Sequence, residues 1–128
     1  MIQSQFESLH WSVTHVPDWQ TFTAGFFPEA QMFPAARPVQ AKIISDFVAR
    51  MELLRTNGTL TTFTEEAGSI HVWVIGQVAV AIAGCQMVEN KQTVTRDISV
   101  FLLIKDQSTW RIAAQGWDLV NNFDVLHR

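Results

Sequence analysis

The segment TVTRDISVFLLIK (Thr93–Lys105), the break DQS (Asp106–Ser108) and the segment TWRIAAQGWDL (Thr109–Leu119) decide the fold. Both segments are rich in β-branched and aromatic residues, and the break between them suits a hairpin, so they predict two consecutive antiparallel strands. Each strand runs to roughly 10 to 13 residues, about twice the usual length. Strands this long must coil, and a coiled sheet with helices inside its curve encloses a pocket. Val94, Ile98, Val100, Leu102 and Ile104 alternate with Phe101 and Leu103, which makes the first strand apolar on both faces. One face should meet the helices. The other needs cover, and a second copy of the chain in a symmetric homodimer is the simplest source.

The same strand-like composition continues upstream, giving strands at Leu60–Glu66, Ile70–Ile75 and Val78–Val88. Ala67-Gly68-Ser69, Gly76-Gln77 and Glu89-Asn90-Lys91 are the expected hairpin turns. Before residue 60 the period is helical. Phe6, Leu9, Val13 and Val16 predict a first helix ending near His15. Pro17 and Asp18 open a second, with Trp19, Phe22 and Phe26 as its buried stripe and Pro28 as its stop. Ala30–Phe33 reads as a short strand. Ile43, Ile44, Phe47, Val48, Met51 and Leu54 predict a third helix over Val39–Arg55, ended by Asn57-Gly58. The expected fold is α+β: three N-terminal helices packed on a long, curved, mostly antiparallel sheet of about six strands, as one domain over 1–128.

Composition narrows the function classes. Apolar residues make up 48% of the 128 and charged residues 16%, which favours a packed domain over disorder. No apolar run approaches the roughly 18 residues of a membrane span. The N-terminal stretch lacks a signal peptide's basic and apolar regions, so a cytoplasmic location is expected. A net charge of -3 with scattered basic residues argues against nucleic acid as a partner. Cys85 is the single cysteine, so no intramolecular disulfide forms and no thiolate metal cage is expected. Asn57-Gly58-Thr59 fits a glycosylation acceptor but reads as a turn. No phosphate loop, dinucleotide fingerprint or zinc-protease motif occurs, and neither a metal nor a cofactor is expected.

Several stretches carry a resemblance. Ile70-His71-Val72-Trp73-Val74-Ile75-Gly76-Gln77-Val78-Ala79-Val80, Arg96-Asp97-Ile98-Ser99-Val100-Phe101-Leu102-Leu103, Trp110-Arg111-Ile112 and Trp117-Asp118 together resemble the nuclear transport factor 2-like superfamily, with its SnoaL-like and ketosteroid-isomerase-like domains. Asp18-Trp19 and Phe26 to Pro34 fit as well. The resemblance implies a cystatin-like cone with a small-molecule pocket, dimeric through the sheet's outer face. It does not imply one activity, because this fold carries isomerases, cyclases, dehydratases and binding modules. Ketosteroid-isomerase-like enzymes place an acidic base before a proline after the second helix; Phe33 stands there, before Pro34. Epoxide-hydrolase-like members use Arg and Asp two apart on a strand, whereas Arg96 and Asp97 are adjacent and point to opposite faces.

Candidate chemistry then rests on a few residues. Trp110, Ile112, Ala114, Gly116 and Asp118 share one face of the last strand, and the small residues leave space beside Asp118. Asp118 is therefore either a general acid or base at a cavity rim or a solvated strand-end carboxylate. Asp97 faces the same side if the hairpin loop is Gln107-Ser108. The pair would then raise one pKa, or Asp97 would instead bridge to an arginine. His71 is a possible base near neutral pH or an ordinary strand histidine. His10 and His15 lie on different helix faces and suit no shared metal. Trp19, Phe22, Phe33, Phe101 and Trp110, with Trp73, line either an apolar pocket or a packed core. Glu65 and Glu66 face opposite ways and are expected in solvent. The functional expectation is a small apolar ligand, handled by a metal-free isomerase, cyclase or hydratase using Asp118, with Asp97 or His71 assisting. The alternative is a non-catalytic ligand-binding or dimerisation module.

Overall fold

The computed structural model describes residues 1–127. Elements follow in the order α1 (Ile2–Glu7), α2 (Trp19–Ala24), β1 (Phe26–Phe33), β2 (Lys42–Ile43), α3 (Ile44–Thr56), β3 (Phe63–Ile75), β4 (Val78–Glu89), β5 (Thr93–Asp106) and β6 (Thr109–Val120), and a short 3-10 turn spans Asp124–His127. The fold is α+β, with one six-stranded sheet in the order β2-β1-β6-β5-β4-β3. Pairing is antiparallel except between β1 and β6, which run parallel, so the sheet is mixed. No helix among the described residues is long and apolar enough to cross a membrane.

The hairpins β4-β5 and β5-β6 form where their turns were expected. Gln107 and Ser108 both have positive φ, the geometry of the tight turn that matches the twist of its flanking strands. Three other expectations change. Ala67-Gly68-Ser69 is not a turn: β3 runs straight through it, taking one extra residue as a bulge between Ala67 and Ile70. Pro28 does not stop a helix. It lies inside β1, within a register irregularity opposite β6 where a missing N–H breaks no ladder bond. The first helix ends at Glu7 rather than near His15, because Trp11 leaves the helix to bridge Phe63.

The bulge in β3 and a second one in β6 set which side chains face inward. In β6, Leu102 pairs Ala114 while Leu103 pairs Ile112, so Ala113 is the extra residue and the strand changes phase there. The inner face carries Phe63, Glu65 and Ala67, then Ile70 and Val72, from β3. It also carries Ala79, Ala81, Ala83 and Cys85 from β4, and Asp97, Ser99, Phe101 and Leu103 from β5. From β6 it takes Ile112, then Gln115 and Trp117.

The helices cover this face through aromatic contacts. Phe6 of α1 meets Phe101 edge-on at 6.0 Å, Phe22 of α2 meets Phe47 of α3 at 5.6 Å, and Phe47 meets Trp117 at 6.3 Å. Gln5 Nε2 donates to the Phe22 carbonyl at 2.9 Å and ties α1 to α2. Gly25 is needed for that approach, since a Cβ there would collide with the Gln5 amide. In α3 only Ile44 is fully buried. Phe47, Val48, Met51 and Leu54 are half-buried, and three of the four border the interior hollow described next.

Candidate functional site

Pairing in register places Cys85 beside Asp97 and beside Ala67, one inward position along from Glu65. The carboxyl oxygens of Glu65 and Asp97 and the Cys85 sulfur all lie within 4.8 Å of one another. This cluster is interior: Asp97 is 1% exposed, Glu65 8% and Cys85 0%. Ser99 Oγ donates to Asp97 Oδ1 at 3.2 Å, while Asp97 Oδ2 is buried without a hydrogen-bond partner. No Lys or Arg neutralises the pair; among the described residues the ion pair present is Arg55–Glu52, at 2.8 Å on α3.

Two carboxyl groups this close in the interior do not both ionise. Burial pushes Glu65 well above the usual carboxylate range, and the facing Asp97 carboxylate and its hydrogen bond push it further. Burial also raises Asp97, against the hydrogen bonds that Glu65, Ser99 and Cys85 offer its charged form. Glu65 is therefore the proton holder and Asp97 the acceptor. Burial raises the Cys85 thiol too, followed by the Glu65 and Asp97 charges. Glu65, Cys85 and Asp97 are also the residues that could hold a metal ion, but a thiolate ligand must first lose its proton, which these surroundings oppose. One shared proton satisfies the pair.

Glu65 forms part of the wall of a cavity of about 200 Å³ between the helices and the sheet. Six aromatic residues border it, namely Phe6, Phe22, Phe47, Phe63, Phe101 and Trp117, with Met32, Met51 and Met87 among them. The polar groups on the wall are Gln5, Gln115, Glu65 and Glu89. An apolar hollow of about 150 Å³ already holds benzene, so this one accepts a ring with a short substituent. On its other side Glu65 borders a groove with Glu7, His10 and Glu66, and His10 Nε2 lies 2.6 Å from the Glu65 carbonyl oxygen. Glu65 thus lies between an apolar interior and a polar groove.

The residues singled out from sequence divide. Phe22 and Phe101 border the cavity. Asp97 is at the cluster, but Asp118 is not: the Ala113 bulge turns Ala114, Gly116 and Asp118 to the outer face. There Asp118 is exposed and accepts from the Leu119 N–H at 2.9 Å. The expected Asp97–Asp118 pairing is corrected on that ground. His71 also lies on the outer face, its ring stacked on Trp73 at 6.2 Å, because the β3 bulge shifts the phase before it. Trp19 spans α2 and α3, donating to the Glu52 carboxylate that Arg55 and Trp19 hold below the usual range. Phe33 is exposed against Gly116, and Trp110 borders a separate groove with Ile70, Val72 and Leu103. Glu65, expected in solvent, is the residue sequence reading missed. Its signal was its parity, since it alternates in phase with Phe63 and Ala67.

No protein-family model and no curated protein sequence matches this chain. Solved structures do. An uncharacterized protein with a cystatin-like fold from Caulobacter vibrioides superposes with a TM-score of 0.69 at 16% identity, covering 98% of this chain and 88% of that one. Nuclear transport factor 2 from Cryptosporidium parvum gives 0.68 at 9% identity, over 93% and 88%. A nuclear transport factor 2-like protein of unknown function from Shewanella baltica gives 0.63 at 12%, over 94% and 86%. The chain has the nuclear transport factor 2-like, cystatin-like fold that its sequence resembles.

Proposed function

We propose that this protein binds a small, largely apolar molecule in the cone between helices and sheet, with the Glu65–Asp97 pair handling a proton on it. The carrying observation is a buried acid pair at the wall of an aromatic hollow. Glu65 donates and Asp97 stabilises the charge that remains, chemistry that serves a metal-free isomerase, cyclase or hydratase. Asp118 has no part in it. A panel of apolar ketones, lactones, epoxides and amines tests the reading by thermal unfolding: a ligand at about a hundred times its Kd adds about 2.7 kcal/mol. At least one class should stabilise the protein, and Glu65→Gln should abolish any turnover while leaving apolar binding. No shift with any member contradicts the reading.

The working unit in this proposal is a homodimer closed through the outer sheet face. Trp73 is 56% exposed there, in a patch with Val80, Val100 and Leu102. Contiguous apolar surface of this kind favours a covered face, and one twofold axis suffices. Sedimentation at micromolar concentration should give dimers, and Leu102→Lys should give monomers of 14.5 kDa. A wild-type monomer contradicts the dimer without touching the interior site.

A further inference from the structure

We infer that the molecule held in the cavity is an apolar amine, bound as its ammonium with the nitrogen against Glu65 and the hydrocarbon among the aromatic rings. This rests on the ligand-binding part of the reading above, not on proton donation by Glu65, and names its ligand class. Among the described residues no Lys, Arg or His borders the cavity, whereas Glu65 and Glu89 do, with Asp97 directly behind Glu65. An anionic ligand would meet only like charge. A neutral alcohol or ketone would fit, yet leave the second interior carboxyl without a counter-charge. An ammonium supplies that charge, and Phe6, Phe63 and Phe101 add aromatic rings, whose faces attract cations. Asp97 Oδ2, buried and otherwise without a donor, is the remaining acceptor of the pair.

The proton balance is simple. Free protein holds the shared proton on Glu65; as an ammonium enters from water, that proton passes to the Asp97 carboxylate beside it and leaves Glu65 ionised against the ammonium. One carboxylate then faces one ammonium, and no bond other than the shared O–H changes.

Calorimetry with benzylamine, benzyl alcohol and benzoate, which are matched in size, tests the inference. Benzylamine should bind roughly tenfold tighter than benzyl alcohol, a difference of about 1.4 kcal/mol, and benzoate should be weakest. At mildly acid pH the binding enthalpy of benzylamine should not vary with the buffer's ionisation enthalpy, because the pair keeps its proton. Glu65→Gln should bring amine and alcohol to equal affinity while alcohol binding persists. Asp97→Asn should also narrow the preference. Alcohol binding as tight as amine, tightest binding of benzoate, or a preference unchanged in Glu65→Gln overturns the amine assignment and leaves the cavity reading standing. Absence of binding by all three overturns the assignment for ligands of this size, and with the wider panel also inert the cavity reading falls as well.

Discussion

Denaturant unfolding across pH is expected to give a stability that falls as pH rises above the ordinary carboxylate range, with Glu65 as the main source. In the unfolded chain a glutamate loses its proton near about pH 4.3. In the folded chain burial and the facing Asp97 hold that proton to higher pH. Between the two values the native state binds more protons than the unfolded state, so unfolding free energy decreases with pH. The contribution is fully present below the unfolded value and is lost as pH rises through the folded one, at a slope near 1.4 kcal/mol per pH unit for one proton. Asp97 acts in the same direction, its folded value being raised too. Glu65→Gln keeps an N–H donor facing Asp97 and cannot ionise. Its profile should be flatter, and it should exceed the wild type in stability on the alkaline side. Parallel profiles for the two proteins would contradict the shared proton.

The second large effect belongs to Trp11. Its indole is 2% exposed, stacks on Phe63 with 5.0 Å between ring centres, and donates Nε1–H to the Leu60 carbonyl at 2.9 Å. Its own backbone exchanges bonds of 3.0 Å with Phe63, tying the segment after α1 to the start of β3. Trp11→Ala should therefore cost about 3 to 5 kcal/mol, from lost burial and the cavity left behind, and leave the Leu60 carbonyl without its donor. The urea midpoint reads this directly. Trp73→Ala, on the exposed outer face, should change the unfolding free energy of the monomer by less than about 0.5 kcal/mol. Equal losses at the two tryptophans would contradict this placement of the core.

How far the sequence could be read depended on phase. Period two and turn chemistry located β4, β5 and β6 almost to the residue, because tight turns such as Gln107-Ser108 leave little freedom in pairing. The resemblance to the nuclear transport factor 2-like fold was legible in the same strands. What escaped was two single-residue insertions. Nothing in Ala113-Ala114 advertises a bulge, yet one extra residue moves Asp118 from the interior to solvent. Gly68 marked the other irregularity, but a glycine between two strand-like runs suits a turn as well as a bulge. The two-residue β2 and the parallel β1-β6 pairing depend on distant partners that local pattern does not encode. Glu65 was masked by residue type: a carboxylate is normally solvated, and only the neighbouring strands supply the partner that makes its burial tolerable.

Carbon-13 NMR of the side-chain carboxyls, followed through a pH titration with Glu65 and Asp97 assigned by substitution, reads the shared proton itself. The Glu65 carboxyl should remain protonated well above the usual carboxylate range, with the Asp97 signal responding to the same step. Both groups titrating independently in the ordinary range would contradict it.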